Sequence, residues 1–185
     1  FRKLLKDLHY PLAAPSANMS TRLSSVQKSD VIEEFGSKIK FVLNGGRCKI
    51  GIESTIINLL NKPIILRFGG LDIKKIEKIL KKKVLIKTNL KKIISPGQFP
   101  LHYSPGIPLR INAKKPKSYE AFVLIKKRKI SSKNYYYLSK KNDLNQSARN
   151  LYSLLRKIKK DGHKMIAVEK IENKGIVKTI NDRLN

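Results

Sequence analysis

Two hydrophobic periods run along the chain and divide it into helices and strands. Apolar residues at helical spacing predict a helix over about Arg2 to Leu8, which stops ahead of Pro11. A second helix, one to two turns long, carries Val31, Ile32 and Phe35, with Ser29 or Asp30 as its cap and Gly36 as its stop. A third begins at a capping Asp72 and sets Ile73, Ile76, Ile79 and Leu80 on one face, and a fourth, over Ala148 to Ile158, turns Leu151, Leu154, Leu155 and Ile158 inward. Short apolar runs bounded by turn residues predict strands at Leu12 to Ala14, Ile39 to Leu43, Ser54 to Leu60, Ile64 to Arg67 and Val84 to Ile86. The Asn61-Lys62-Pro63 turn makes the third and fourth of these a hairpin. Further strands are predicted at Leu109 to Ile111, Ala121 to Ile125, Tyr135 to Leu138 and Met165 to Val168.

Between Thr88 and Pro108 both periods fail. Pro96, Pro100 and Pro105 with Gly97 and Gly106 interrupt regular structure there. The pattern therefore predicts an α/β chain in three parts: a mixed unit over residues 1–87, a proline-rich linker over 88–108 and a small open α/β domain over 109–185.

Composition changes this picture only at its margins. With 41% apolar residues in 185, the chain has enough hydrophobic side chains for one good core or two small ones. The apolar runs fall short of the roughly 20 residues a membrane helix needs. The opening FRKLLKDLHYP has no apolar centre of the kind a signal peptide carries, and with Phe1 in first place the chain is expected to start inside a domain. Its one cysteine, Cys48, has no internal partner for a disulfide or a CxxC metal site, which fits a reducing cytoplasm. The formal net charge of +28 invites a nucleic-acid reading. The excess is spread along the chain, however, and the lysine runs carry no interleaved aromatic residues. Any RNA contact is thus expected to be electrostatic.

Three short segments carry the candidate chemistry. In Pro11-Leu-Ala-Ala-Pro-Ser-Ala-Asn18, small residues leave room for a ligand to approach the backbone, and Ser16 and Asn18 offer polar groups to phosphate oxygens. Gly51-Ile-Glu-Ser-Thr-Ile56 sets two hydroxyls at the head of an apolar strand, and Leu66-Arg-Phe-Gly-Gly70 sets an arginine at a strand end before two glycines and a capped helix. Each segment alone reads equally as an ordinary turn, a strand start or a surface arginine.

In this order, and followed by SPGQFPLHYSP, NQSARNLYSLLRKI and GIVKTINDRLN, the segments resemble the YrdC-like family of L-threonylcarbamoyladenylate synthases, in its long two-domain form. The resemblance covers nearly the whole chain. It implies that residues 1–87 are the C-terminal portion of a twisted YrdC-like catalytic domain and that 109–185 form a small Rossmann-like domain. It also implies the reaction: L-threonine, bicarbonate and ATP give threonylcarbamoyl-AMP and pyrophosphate, for a separate transferase complex that modifies tRNA in the cytoplasm. ATP is the nucleotide substrate and Mg2+ is expected with it.

Roles follow residue by residue from the resemblance. Ser16 contacts ATP with Ala14 and Asn18 beside it, Ser24 is the second serine on the nucleotide, and Ser54 contacts threonine. Arg67 reaches the phosphates, and Tyr103, accompanied by His102, closes over the nucleotide. No covalent nucleophile and no protein-held metal are implied, since the step rests on positioning and charge neutralisation. Ser20-Thr21 and Ser24-Ser25 depart from the family's usual serine features, and Arg67-Phe68-Gly69 from its usual Arg-Pro-Gly. The family's front segment, with further phosphate-gripping Lys and Arg, is expected ahead of Phe1, so the chain alone is expected to be a poor catalyst. Readings from other classes are a basic RNA-binding module, a scaffold remnant and, within enzymes, a carbamoyl-transfer relative. The HYSP linker and the NDRL ending argue against the last of these.

Overall fold

The computed structural model describes residues 1–86, 102–129 and 132–185. The part of the expected linker that includes Thr88, Pro96, Gly97 and Pro100 lies outside the described residues. Two sheets form. The smaller has strands β1 (Ile56–Asn58), β2 (Ile64–Arg67) and β3 (Leu85–Ile86) in that spatial order. β1 and β2 are the predicted antiparallel hairpin, with Ile56 opposite Arg67, and β3 runs parallel to β2. The larger sheet is wholly parallel, with strands β4 (Leu109–Ala113), β5 (Ala121–Leu124), β6 (Tyr135–Tyr137) and β7 (Ile166–Glu169) in the order β4-β7-β5-β6.

Among the described residues five α-helices accompany them: α1 (Arg2–Lys6), α2 (Lys28–Phe35), α3 (Ile73–Leu80), α4 (Leu144–Lys160) and α5 (Val177–Leu184). The cap predicted for α3 is realised, and α4 starts from a cap of the same kind. Asp72 accepts from the Lys74 N–H at 2.9 Å, and Asp143 accepts from the Asn145 and Gln146 N–H groups at 2.9 and 3.1 Å.

The parallel sheet holds the core, and alternation sorts its side chains. Val123, Ile166 and Val168 face Leu151, Leu155 and Ile158 of α4 and Ile180 of α5, whereas Phe122, Leu124 and Ala167 form a second cluster with Tyr135 and Tyr137. Each large apolar side chain so enclosed contributes about 1.5–3 kcal/mol relative to exposure. On β4, Ile111 faces the first cluster, and strict alternation would send Ala113 there too. A register shift between Arg110 and Ala113, with Asn112 at φ 59°, turns Ala113 to the other face.

Several expectations are corrected. Leu12 to Ala14 and Ile39 to Leu43 are not strands: these residues have no strand neighbour among the described residues, and Phe41 and Leu43 are left exposed. A strand needs a ladder partner for its backbone groups, and hydrophobicity alone does not supply one. Neither Ser29 nor Asp30 caps α2, because the helix starts earlier. The Asp30 carboxylate is buried and accepts from the Val26 N–H at 2.9 Å. Ile79 is exposed rather than on the inward face of α3. α5 has no counterpart among the predicted elements, and α4 extends beyond the predicted helix at both ends.

The two stretches on either side of the proline-rich segment share one core. Leu23, Val26 and Tyr103 pack in the same cluster as Val123 and Leu155, with Ile52 against it. A parallel bridge joins Arg22 to Ser104, and the Ser104 N–H donates to the Thr21 carbonyl at 2.9 Å. No helix among the described residues is long and apolar enough to cross a membrane.

Candidate functional site

The hairpin β1–β2 brings two of the three candidate segments together. Ile56 opposite Arg67 places Ser54, just ahead of β1, beside the end of β2. Arg67 donates from Nε to the Ser54 carbonyl and from Nη2 to Ser54 Oγ, both at 3.1 Å. The neighbouring residues tighten the same seam. The Gly70 N–H donates to the Glu53 carbonyl at 2.9 Å, and Thr55 Oγ1 donates to the Leu71 carbonyl at 3.0 Å. Gly69 is required here, because a Cβ on it would lie 2.1 Å from the Thr55 nitrogen and 2.2 Å from the Ser54 carbonyl carbon. Gly51 meets a similar limit on the other side: at φ 76°, its Cβ would sit 2.5 Å from the Arg149 carbonyl oxygen of α4. Ser54 is exposed and Arg67 half-buried, so the pair lies at the solvent-facing side of the hairpin.

Behind this open pair lies a buried charge network centred on Glu53. Its carboxylate accepts from Ser24 Oγ at 2.5 Å, from the Tyr152 hydroxyl at 3.0 and 2.9 Å, and from Arg183 Nε at 2.8 Å. The Arg183 side chain, fully buried, also donates from Nη2 to the Phe68 carbonyl at 2.6 Å and pairs with Asp182. Its guanidinium lies 4.4 Å from the centre of the Tyr103 ring. Arg156 donates to the Leu23 and Ser24 carbonyls, and Thr179 donates from Oγ1 to the Gly69 carbonyl at 2.9 Å. Burial by itself would raise the Glu53 carboxyl. The Arg183 charge and the hydrogen bonds from Ser24 and Arg183 outweigh it and hold the group below its ordinary range as an anion. Burial and the Glu53 charge push the Tyr152 hydroxyl far up, so it stays a donor.

Tyr103 is buried. Its ring stacks on Tyr152 at 5.9 Å between centroids and touches the His102 ring at 4.0 Å. Its φ of 59° is unusual for a bulky residue, and packing from three sides holds it there. Burial, reinforced by the positive charges of Arg183 and Arg67, lowers His102 and favours the neutral imidazole, although Glu53 acts in the opposite direction.

Of the residues expected to form the site, Ser24, Ser54, Arg67 and Tyr103 therefore converge on one network. Ala14 and Ser16 lie on an exposed loop, and their side chains make no hydrogen bond to that network among the described residues. The loop is tied to the serine-rich segment through Ser25 Oγ, which donates to the Ala17 carbonyl at 2.6 Å. Asn18 braces that segment, donating to the Met19 carbonyl at 2.9 Å and the Arg22 carbonyl at 3.2 Å. Sequence reasoning missed Glu53, Tyr152, Arg156, Thr179 and Arg183. They lie as polar residues inside the quoted segments GIEST, NLYSLLR and GIVKTINDRLN, Glu53 just ahead of β1 and the others on α4 and α5.

Known proteins share this arrangement of elements. The family model described as threonylcarbamoyl-AMP synthase, C-terminal domain, matches residues 71–185, and the Sua5/YciO/YrdC model, described as telomere recombination, matches residues 1–69. The threonylcarbamoyl-AMP synthase of Pyrococcus abyssi is 31% identical over 202 aligned residues, which cover 98% of this chain and 59% of that protein. The crystal structure of P. abyssi Sua5 complexed with L-threonine superposes with a TM-score of 0.82 at 29% identity, again over 98% of this chain and 59% of the other. A P. abyssi Sua5 variant with a consecutive His–Tyr pair replaced by alanine superposes at 0.79, with 28% identity, over 98% of this chain and 58% of that one. The chain thus spans about three fifths of the length of this P. abyssi relative. With the C-terminal-domain model covering residues 71–185 and the second family model the stretch ahead of it, the chain belongs to the threonylcarbamoyl-AMP synthase family.

Proposed function

We propose that this chain forms part of an L-threonylcarbamoyladenylate synthase, which joins L-threonine, bicarbonate and ATP into threonylcarbamoyl-AMP and pyrophosphate for tRNA modification. The observation that carries the reading is the Arg67–Ser54 pair, set by a hairpin and backed by a buried network. The L-threonine held by the P. abyssi Sua5 structure supports it. In this reading residues 1–87 belong to the catalytic domain, 88–108 link it to the second domain, and 109–185 make up that domain. Ser54 contacts threonine and Arg67 contacts phosphate, while Ala14, Ser16, Asn18 and Ser24 line the nucleotide side. Tyr103, packed against Tyr152 and Arg183, holds the linker against the site.

The chemistry asked of these groups is modest. Threonine amine and bicarbonate form a carbamate with loss of water, and the carbamate oxygen attacks the α-phosphorus as pyrophosphate departs. Such a step is accelerated by positioning and by cations aimed at the charge that develops on the phosphates. Arg67 supplies one such cation. Among the described residues no group of three or more His, Cys, Asp or Glu side chains is placed to hold a metal. In this reading Mg2+ enters with the nucleotide, as MgATP, bound through phosphate oxygens and water. The product is passed to a separate tRNA-modifying complex in the cytoplasm, and the Lys-rich surface offers only electrostatic contact to RNA.

The test is pyrophosphate release from ATP by these residues within a complete catalytic domain. Release should require both threonine and bicarbonate. Arg67→Ala should reduce nucleotide use by about 1–3 kcal/mol, the range for losing charge-assisted hydrogen bonds. Ser54→Ala should act mainly on threonine. Release indifferent to threonine would sink the reading.

A further inference from the structure

Arg183 has no ligand-facing surface, yet it touches the candidate site at two points of a particular kind. Its Nε holds Glu53, the residue immediately before Ser54, and its Nη2 holds the carbonyl of Phe68, the residue immediately after Arg67. The open Arg67–Ser54 pair is thus gripped from behind by one planar group, through the chain neighbour of each member. A guanidinium suits this task because its donors are fixed in one plane and its charge does not titrate, so the angle between the two contacts cannot drift. Tyr103 lies against the guanidinium on the linker side, and Thr179, one helical turn earlier on α5, holds the carbonyl of Gly69. The last helix of the chain therefore fastens the R-F-G-G turn by two residues and the E-S-T turn by one.

We propose that Arg183 is a positioning residue for the candidate site: acting through Glu53 and the Phe68 carbonyl, it sets the geometry in which Arg67 holds Ser54 and meets an anionic ligand. The consequence for ligand binding rests on the functional reading above, whereas the clamp itself does not. Other arginines at the same seam do not share this placement. Arg156 grips the carbonyls of Leu23 and Ser24, and Arg47 donates to Asn150 and Ser153 of α4.

The experiment follows the Arg67 Nε–H by nuclear magnetic resonance in the chain as it stands, reading its exchange with solvent. Arg183→Lys keeps the charge and loses the planar fork. It should speed Arg67 Nε–H exchange by about tenfold or more while the amides of β5 and β7 keep their protection. Glu53→Gln, which cuts one of the two contacts, should give a smaller acceleration. Arg156→Lys should leave Arg67 unchanged. Equal acceleration by Arg156→Lys would mean that any loosened seam frees Arg67, and the proposal would be overturned. It is overturned as well if Arg67 stays protected in a folded Arg183→Lys, or if both Arg183→Lys and Glu53→Gln lose the fold. Should Arg183→Lys alone unfold, Glu53→Gln decides. Titration with ATP and with L-threonine then separates the clamp from the function. A shift of the Arg67 resonance by ATP, weakened in Arg183→Lys, supports both. A working clamp with no response to either ligand leaves Arg183 as a positioning residue for the hairpin and removes Arg67 from the ligand site.

Discussion

The stretch before the proline-rich segment and the stretch after it are built on different terms. In residues 109–185 the strands are parallel and enclosed: Ala121 to Leu124 and Ile166 to Ala167 are fully buried, and α4 is wholly inward along Leu151, Leu155 and Ile158. In residues 1–86 the strands are short, and Phe41, Leu43, Leu60 and Ile79 are exposed. Only Leu23, Val26, Ile65 and Val84 are buried apolar side chains there. Two of these four, Leu23 and Val26, pack into the core of the second stretch. The first stretch therefore borrows its order. It carries the candidate chemistry, and arginines, a tyrosine and a threonine of the second stretch hold it in place. Binding groups displayed on a weakly buried element and fixed by a rigid neighbour are a common division of labour.

Damage to the supporting core should have the largest effect. Phe122→Ala removes a fully buried ring from the parallel sheet, and denaturant unfolding followed by circular dichroism should show a loss of about 3–5 kcal/mol. If the first stretch borrows its order, hydrogen exchange over β1 and β2 should accelerate together with that over β5. Independent protection of β1 and β2 in this variant would show that the first stretch keeps its own order.

A smaller change addresses the seam itself. Tyr152→Phe keeps the ring stacked on Tyr103 and removes only the hydroxyl that both Glu53 oxygens accept, at an expected cost of about 1.5–3 kcal/mol for a hydrogen bond to a buried charge. The effect should appear first in the exchange of residues 51–55, and the amides of β5 and β7 should barely respond. A uniform loss across both stretches would show that Glu53 serves the global fold rather than the seam.

The smallest effect is expected where the first stretch stands alone. Phe41 is 87% exposed, so Phe41→Ala should alter stability by no more than about 0.5 kcal/mol in the same unfolding measurement. A larger loss would mean that this side chain has a partner and that the first stretch holds more of its own order than its burial indicates.

Much of the second stretch was legible in the sequence, since its signals are local. Four apolar runs bounded by turn residues became β4 to β7, and a periodic run became α4, because burial on both faces of a parallel sheet demands such runs. The hairpin Ile56–Asn58 with Ile64–Arg67 and the Asp72 cap were legible for the same reason: a turn and a cap are decided within a few residues. Leu12 to Ala14 and Ile39 to Leu43 looked no different from true strands, yet stayed unpaired among the described residues, because pairing depends on what lies beside them in space. The open pair at the head of the hairpin, Ser54 and Arg67, was singled out by its motifs. The buried network behind it was not. Glu53 and Arg183 are 130 positions apart, and neither a period nor a turn can announce that one carboxylate will be desolvated against one guanidinium. The order of residues thus specified most of the local elements and the family they belong to. Which polar residues came together in one buried network was settled by packing in three dimensions, since burial turns a separation of 130 residues into a contact of 2.8 Å and makes the charge on Glu53 depend on it.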